Sequence, residues 1–157
     1  MNYPLFEAKK EISSLLKNAL TELKYKTEIK LEIPPNEMGD FAFACFSLAK
    51  IAKKAPNKIA EDIAKKIKKS DWLERVEAQG AYVNFFVDSK KLSSLTLKSI
   101  LEKKENYGSL EKKNKKVIVE HTSANPNGPL HVGRARNPII GDTIVRIFKA
   151  AGYNVES

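Results

Sequence analysis

The chain has 157 residues, 42% of them apolar, and a formal net charge of +9; this length suits one domain, or one domain and part of a second. No run reaches the roughly 18 apolar residues of a membrane-spanning helix, and the N-terminus lacks the pattern of a signal peptide, so we predict no membrane partner. The chain has a single cysteine, Cys45, so no disulfide can form within it, which favours a reducing cytoplasm. Because Cys45 lies in an apolar run, we expect its side chain to be buried in the core.

The front part of the chain alternates helical and strand patterns. Apolar residues at helical spacing predict a first helix, and the period-two segment that follows it ends at the helix-breaking pair Pro34–Pro35. Asn57 is the expected N-cap of a later helix, and Gly80 is the expected turn of a hairpin. Helices are predicted over 4–23, 46–54, 58–68 and 89–104, and strands over 29–33, 73–78 and 81–87. The short apolar run 41–46 fits either a strand or the start of a helix.

Lysines give the front part its positive charge. Residues 1–116 contain 24 Lys and Arg against 16 Asp and Glu, whereas residues 117–157 contain 4 against 3. Such a surface attracts RNA through counterion release. A lysine-rich solvated face that keeps the domain soluble is an equally good reading, and composition does not decide between the two.

The back part opens with a strand pattern, a polar loop and a helix. The β-branched run 117–119 is typical of a strand buried on both faces of a parallel sheet. A helix is predicted from near Pro129 to Ala151, disturbed at Pro138 and stopped by Gly152. Residues 153–155 resemble the start of another strand. Ligands of open parallel sheets bind beyond such strand ends, and a helix N-terminus attracts phosphate, so residues 120–134 are expected to face a nucleotide.

At these residues the sequence resembles a known family. The run EHTSANPNGPLHVGRARNPIIGD, residues 120–142, is similar to the first motif region of arginyl-tRNA synthetases, most closely of the archaeal type. His131, Val132, Gly133 and Arg134 stand where class I synthetases carry the HIGH motif. The motif region comprises Ala124, Asn125, Pro126, Asn127, Gly128, Pro129, Leu130, His131, Val132, Gly133 and Arg134.

The resemblance implies a role for several of these residues. His131, Gly133 and Arg134 are expected to be catalytic, and ATP would be bound by the same three residues together with Pro129 and Asp142. Arg134 replaces the second histidine of the HIGH pattern; it can still donate to phosphate but cannot titrate.

The resemblance also implies where arginine binds. Glu120, Ser123 and Asn125 would bind arginine, since a carboxylate pairs well with a guanidinium. Without the family, Glu120 is readable as a surface residue, His131 as a capping or solvated histidine, and Asn125 as a turn former. We expect His121 to be structural.

Tyr82 and Asn84 carry the resemblance in the front part. They lie in a segment, Gly80 to Phe85, that is similar to the strand with which these synthetases hold a base of the tRNA D-loop. An aromatic ring and an amide can stack on an unstacked base and hydrogen-bond to it, and residues two apart share a strand face. A half-buried edge strand with ordinary aromatics is the alternative.

The expected fold is a two-layer α+β domain with an antiparallel sheet, followed by the first strand–loop–helix unit of a Rossmann-like catalytic domain. We place the first domain at residues 1–110, a linker at 111–116 and the catalytic start at 117–157. The resemblance implies ATP-dependent charging of tRNA(Arg) with L-arginine through an arginyl-adenylate, with Mg²⁺ accompanying ATP, in the cytoplasm.

One strand and one helix cannot build a parallel sheet covered on both faces. We therefore expect this polypeptide to be an N-terminal fragment that is inactive alone. Its helix 139–151 would have to pack on the front domain, pair with another chain that supplies the rest of the catalytic domain, or aggregate. A non-catalytic tRNA-binding module and another nucleotidyltransferase of the same superfamily are the alternatives. The strand end VEHTSAN argues against the latter, which usually carries a short G-x-F-D-like strand end.

Overall fold

The structure is a computed structural model that describes residues 3–35, 37–123 and 132–157, with the backbone alone at Arg134. Two compact units divide the chain, a front unit of residues 3–102 and a back unit of Lys103–Ser157. None of the helices in these ranges is long and apolar enough to cross a membrane. The predicted boundaries at 110 and 117 remain predictions.

The front unit contains a four-stranded sheet and four helices. The sheet has the order β1-β2-β4-β3, and every neighbouring pair is antiparallel, as predicted. Segment 41–46, for which the sequence allowed a strand or a helix start, contains one whole strand, Phe41–Ala44, and the first residue of a helix, Phe46. The elements are α1 (Pro4–Glu22), β1 (Leu31–Glu32), β2 (Phe41–Ala44), α2 (Phe46–Ala52), α3 (Pro56–Lys66), β3 (Leu73–Gln79), β4 (Tyr82–Val87) and α4 (Ser89–Lys103).

Helices α1, α2 and α3 contribute the apolar core on one face of this sheet. Strand β4 alternates, so Val83, Phe85 and Val87 enter the core while Tyr82 and Asn84 point to the opposite face. Burial raises the pKa of the Cys45 thiol to about 12, and Cys45 is part of the core as expected. The core comprises Ala8, Ile12, Leu16, Ala19, Leu20, Phe41, Phe43, Cys45, Leu48, Ile59, Ala60, Ile63, Val83, Phe85 and Val87.

The start of α3 differs from the prediction that Asn57 caps it. The helix begins at Pro56, and its N-cap residue is Ala55. Proline fits the first helical position because it has no N–H to leave unpaired there. The Asn57 side chain instead accepts a hydrogen bond from the amide of Lys58 at 2.9 Å.

The back unit is a β–α–β arrangement. After a short 3-10 helix (Lys104–Asn106), strand β5 (Lys116–Ile118) pairs in parallel with β6 (Asn154–Glu156), and the described part of α5 covers Val132–Ala150. The parallel pairing agrees with the prediction, but burial on both faces does not, because the Ile118 side chain is 72% exposed. Val117 and Val119, whose side chains point to the other face, are half-buried, so among the described residues only that face is covered in part.

The segment predicted as a linker, residues 111–116, forms a main-chain hydrogen bond with the residues that end α5. Gly152 has a φ of +86° and ends the helix, as the sequence indicates. The amide of Lys113 donates to the Gly152 carbonyl at 2.6 Å, and that of Leu110 donates to the Ala150 carbonyl at 2.7 Å. These hydrogen bonds attach residues 110–113 to the back unit.

Candidate nucleic-acid and substrate sites

The outward face of the front sheet carries a groove of about 360 Å³. Tyr82 and Asn84, the two residues predicted to contact tRNA, both line it. Strands of the sheet and the connection between β1 and β2 supply the lining. The full lining is Glu32, Ile33, Pro34, Pro35, Met38, Ala42, Gln79, Gly80, Tyr82 and Asn84.

Asn84 is the one buried polar side chain of the described residues, at 3% exposure. Its Nδ2 donates to Gln79 Oε1 at 3.4 Å, and Gln79 is the cross-strand partner of Tyr82. The bond uses one donor of Asn84 and one acceptor of Gln79, so an acceptor and a donor remain beside the Tyr82 ring. We missed Gln79 in the sequence, although its place before the Gly80 turn identifies it as the cross-strand neighbour of Tyr82.

Phe46 orients the Tyr82 ring. The two rings meet edge-to-face at 5.5 Å between centroids and 82° between planes, an arrangement that aromatic pairs favour. The first residue of α2 is brought there because the Cys45 amide donates to the Ala81 carbonyl at 2.9 Å. Sequence reasoning counted Phe46 only as an apolar residue, since nothing in the local pattern links it to Tyr82.

The charges of the groove suit a base better than a phosphate. Among the described residues that line it, Glu32 is the one charged residue and none is a lysine. A carboxylate repels phosphate but accepts hydrogen bonds from the N–H groups of a base. Apolar side chains, one phenol ring and two amides are the surroundings in which proteins hold unstacked bases.

In the back unit, the residues after β5 form a compact polar turn. Ser123 Oγ donates to Glu120 Oε1 at 2.8 Å, so two of the three residues predicted to bind arginine lie together. Both are exposed. The hydrogen bond orients the carboxylate and leaves its remaining lone pairs for another donor.

Thr122, which lies between Glu120 and Ser123, has a strained backbone conformation. Thr122 has a φ of +68°, which is unfavourable for a β-branched residue and costs about 1–3 kcal/mol. Its hydroxyl lies 2.7 Å from Nδ1 of His121. The His121 side chain in turn packs against Gly141 of α5, where a methyl group would overlap its Cβ and Cγ atoms. His121 thus has close contacts with Thr122 and Gly141, and its structural role stays a prediction.

Several predicted site residues lie outside the described residues: the motif stretch from Ala124 to Leu130, which includes Asn125 and Pro129, and His131. Gly133 belongs to the first described turn of α5, and the Arg134 backbone is helical there. Asp142 is exposed and pairs with Arg146 one turn later at 2.7 Å. Across 3–35, 37–123 and 132–157, no three His, Cys, Asp or Glu residues cluster to hold a metal.

Comparison with known proteins finds one family model that matches most of the front unit and a second that matches the back unit. The family model described as arginyl tRNA synthetase N terminal domain matches residues 8–87, and that for the class I (R) tRNA synthetase catalytic domain matches residues 96–157. The chain is 48% identical over 149 residues to an arginine–tRNA ligase of Methanococcus maripaludis strain C7, covering 93% of the chain and 26% of that relative. For the ligase of Thermococcus sibiricus, identity is 47% over 162 residues, with 96% and 25% covered.

Two solved structures share the fold. Arginyl-tRNA synthetase of Thermus thermophilus matches with a TM-score of 0.58 and 30% identity, covering 93% of this chain and 24% of its own. The enzyme of Plasmodium falciparum matches with a TM-score of 0.63 and 19% identity, covering 94% and 29%. The chain thus spans about a quarter of the length of its curated relatives. With a family model covering half of its residues, the chain belongs to the arginyl-tRNA synthetase family.

Proposed function

We propose that the protein containing these residues is a cytoplasmic arginine–tRNA ligase, which joins L-arginine to tRNA(Arg) through an arginyl-adenylate made from ATP. The observation that carries this is the succession of both family domains in one chain, over residues 8–87 and 96–157. The β–α–β arrangement of the back unit supports a Rossmann-like catalytic domain that begins near residue 117, after a linker at 111–116. The chain alone is proposed to be inactive.

The turn after β5 is proposed as part of the arginine site. Glu120 would pair with the guanidinium, and Ser123 would hold its carboxylate through the 2.8 Å hydrogen bond. Asn125 would complete the site. The hydrogen bond from Ser123 orients the Glu120 carboxylate before the substrate arrives, which would lower the entropic cost of binding.

The nucleotide is proposed to lie at the N-terminal end of α5. His131, Gly133 and Arg134 would contact ATP there and stabilise the charge that develops as the carboxylate of arginine attacks the α-phosphate and pyrophosphate leaves. Pro129 and Asp142 are proposed as further contacts. The described residues offer no metal ligand cluster, so we assign no protein ligand to the Mg²⁺ that accompanies ATP.

ATP–pyrophosphate exchange tests the activity. The polypeptide is expressed to the stop codon of its gene and assayed with tRNA(Arg) and each amino acid in turn. We expect exchange with arginine alone, and loss of most of it in Glu120→Gln, which keeps the shape of the side chain but not the charge that guanidinium needs.

Two outcomes would point elsewhere. Exchange without dependence on arginine would identify another nucleotidyltransferase of the superfamily. Salt-dependent tRNA binding without any exchange would identify a non-catalytic tRNA-binding module. Glu120→Asp serves as the matched variant, since it retains the charge and should retain measurable exchange.

The groove of the front unit is proposed to hold a base of the tRNA D-loop. Tyr82 would stack on the base, and the groups left on Asn84 and Gln79 would hydrogen-bond to its edge. The lysines of this part would attract the RNA backbone from outside the groove, and none of them is among the described residues of its lining.

Replacing Tyr82 with alanine tests the stacking contact. We expect the affinity of the 157-residue chain for a tRNA(Arg) transcript to fall about tenfold, or about 1.4 kcal/mol, the lower part of the range for one stacked base. Tyr82→Phe keeps the ring and should bind within about twofold of wild type. Fluorescence anisotropy at several salt concentrations measures both.

The salt dependence separates base contacts from phosphate contacts. Tyr82→Ala should lower the affinity equally at every salt concentration, because no phosphate contact is lost and the slope of log K against log salt is unchanged. If Tyr82→Ala and wild type bind the tRNA(Arg) transcript with equal affinity, the proposal that the groove holds a base is wrong.

A further inference from the structure

The connection between β1 and β2 forms one side of the groove. Ile33, Pro34, Pro35 and Met38 line it there. Ile33 is 84% exposed and Met38 is 41% exposed, so the core does not bury them. Single exposed apolar side chains are ordinary, but here they gather in the groove that also contains the exposed ring of Tyr82. Such a grouping is typical of a contact surface.

This connection is attached to β4, the strand that carries Tyr82 and Asn84. The Asp40 amide donates to the Phe85 carbonyl at 2.9 Å. The Asp40 carboxylate accepts from the Val87 amide at 2.8 Å. Regular pairing of β2 with β4 begins only at Phe41, so the Asp40 side chain satisfies a main-chain donor that the ladder no longer reaches.

Gly39 brings the connection close to the sheet. Its φ is +108°, and a Cβ atom built there would lie 2.9 Å from the Phe85 carbonyl oxygen. Only glycine meets both demands, since other residues would combine backbone strain with a steric overlap. The prolines at 34 and 35 limit the backbone further by fixing φ. Met38 lies between the two prolines and Gly39. Its amide donates a hydrogen bond to the Pro35 carbonyl at 3.2 Å.

We propose that Ile33, Pro34, Pro35 and Met38 form an apolar wall that encloses an RNA base together with Tyr82, and that Gly39 and Asp40 are positioning residues for this wall. The proposal rests on the proposed base-binding role of the groove and adds the surface that completes it. A base held between two surfaces loses water from both faces, which strengthens binding over stacking on Tyr82 alone.

Wall variants test the contact directly. Ile33→Ser and Met38→Ser change exposed side chains, so the fold should tolerate them. We expect each to weaken binding of the 157-residue chain to the tRNA(Arg) transcript about threefold to tenfold, as loss of a small apolar contact does. Ile51→Ser changes an exposed apolar residue of α2 outside the groove lining and should bind as wild type does.

Anchor variants test the positioning role. Asp40→Ala should weaken binding by a similar factor and expose the Val87 amide to hydrogen exchange, because that amide loses its acceptor. Asp40→Asn keeps a side-chain oxygen and should restore both properties in large part. The wall variants should leave Val87 exchange unchanged, which distinguishes positioning from contact.

The outcomes separate this proposal from the one on which it rests. If Tyr82→Ala weakens binding while Ile33→Ser and Met38→Ser bind as wild type does, the wall proposal is wrong and the base site stands. If Tyr82→Ala also binds normally, the base site itself is wrong. Should Asp40→Ala unfold the front unit, the two wall variants still decide whether the wall contacts the base.

Discussion

Replacing Phe85 with alanine should lower the free energy of unfolding of the front unit by about 3–5 kcal/mol. Phe85 is the largest of the fully buried side chains and lies in the centre of β4. Its removal leaves a cavity that the helices on that face cannot fill without moving, because protein interiors are packed like crystals. Small domains are stable by only about 5–15 kcal/mol, so the variant should be near the limit of folding.

Urea unfolding measures this effect, followed by circular dichroism and by the fluorescence of Trp72, the only tryptophan of the chain, which packs against the core. Phe86→Ala is the matched control, since Phe86 is the next residue and points to the opposite face. There it lies under the Arg75 guanidinium at 3.5 Å, and its loss should cost about 1–2 kcal/mol. Equal effects of the two variants would contradict the inward orientation of Phe85.

Replacing Gly141 with alanine should lower the stability of the back unit by about 3 kcal/mol, the upper end of the effect of overpacking. Alanine normally favours a helix interior over glycine by about 1 kcal/mol. Here the new methyl group would overlap the Cβ and Cγ atoms of His121. These atoms are near the backbone, so the turn that holds Glu120 and Ser123 must move.

Native-state hydrogen exchange reports this effect at the amides of Val119 and Asn154, which bond between the two strand segments. A double-mutant cycle identifies the cause. His121→Gly removes the overlapping side chain and should cancel most of the loss, whereas His121→Ala retains the Cβ atom and should not. Protection that survives in Gly141→Ala alone would show that α5 does not pack on His121.

The sequence predicts the elements well because their signals are local. The apolar spacing in 4–23 and the Gly80 turn need no information from distant residues, and both agree with the structure. The Asn57 cap was wrong because two local rules competed, and proline at the first helical position prevailed. The exposed Ile118 differs from the prediction because a β-branched run specifies a strand but not what covers it.

The candidate sites were predictable only in part. Tyr82 and Asn84, two apart on a strand, could be placed on one face from their spacing. The wall could not be foreseen, because Asp40 reaches Val87 across 47 positions of the chain. Glu120 and Ser123 were named together from the family motif, but the left-handed backbone of Thr122 between them has no sequence signal, since threonine rarely adopts it.

The charge of the groove lining has a kinetic consequence. Attraction by lysines acts over distance and would raise the rate at which the proposed RNA partner meets the protein, whereas close contacts would set the rate at which it leaves. Glu32 is the only charged residue in the described part of the lining, so the groove would add nothing to long-range attraction. The lysines would then govern how often RNA arrives, and the side chains around Tyr82 how long it stays.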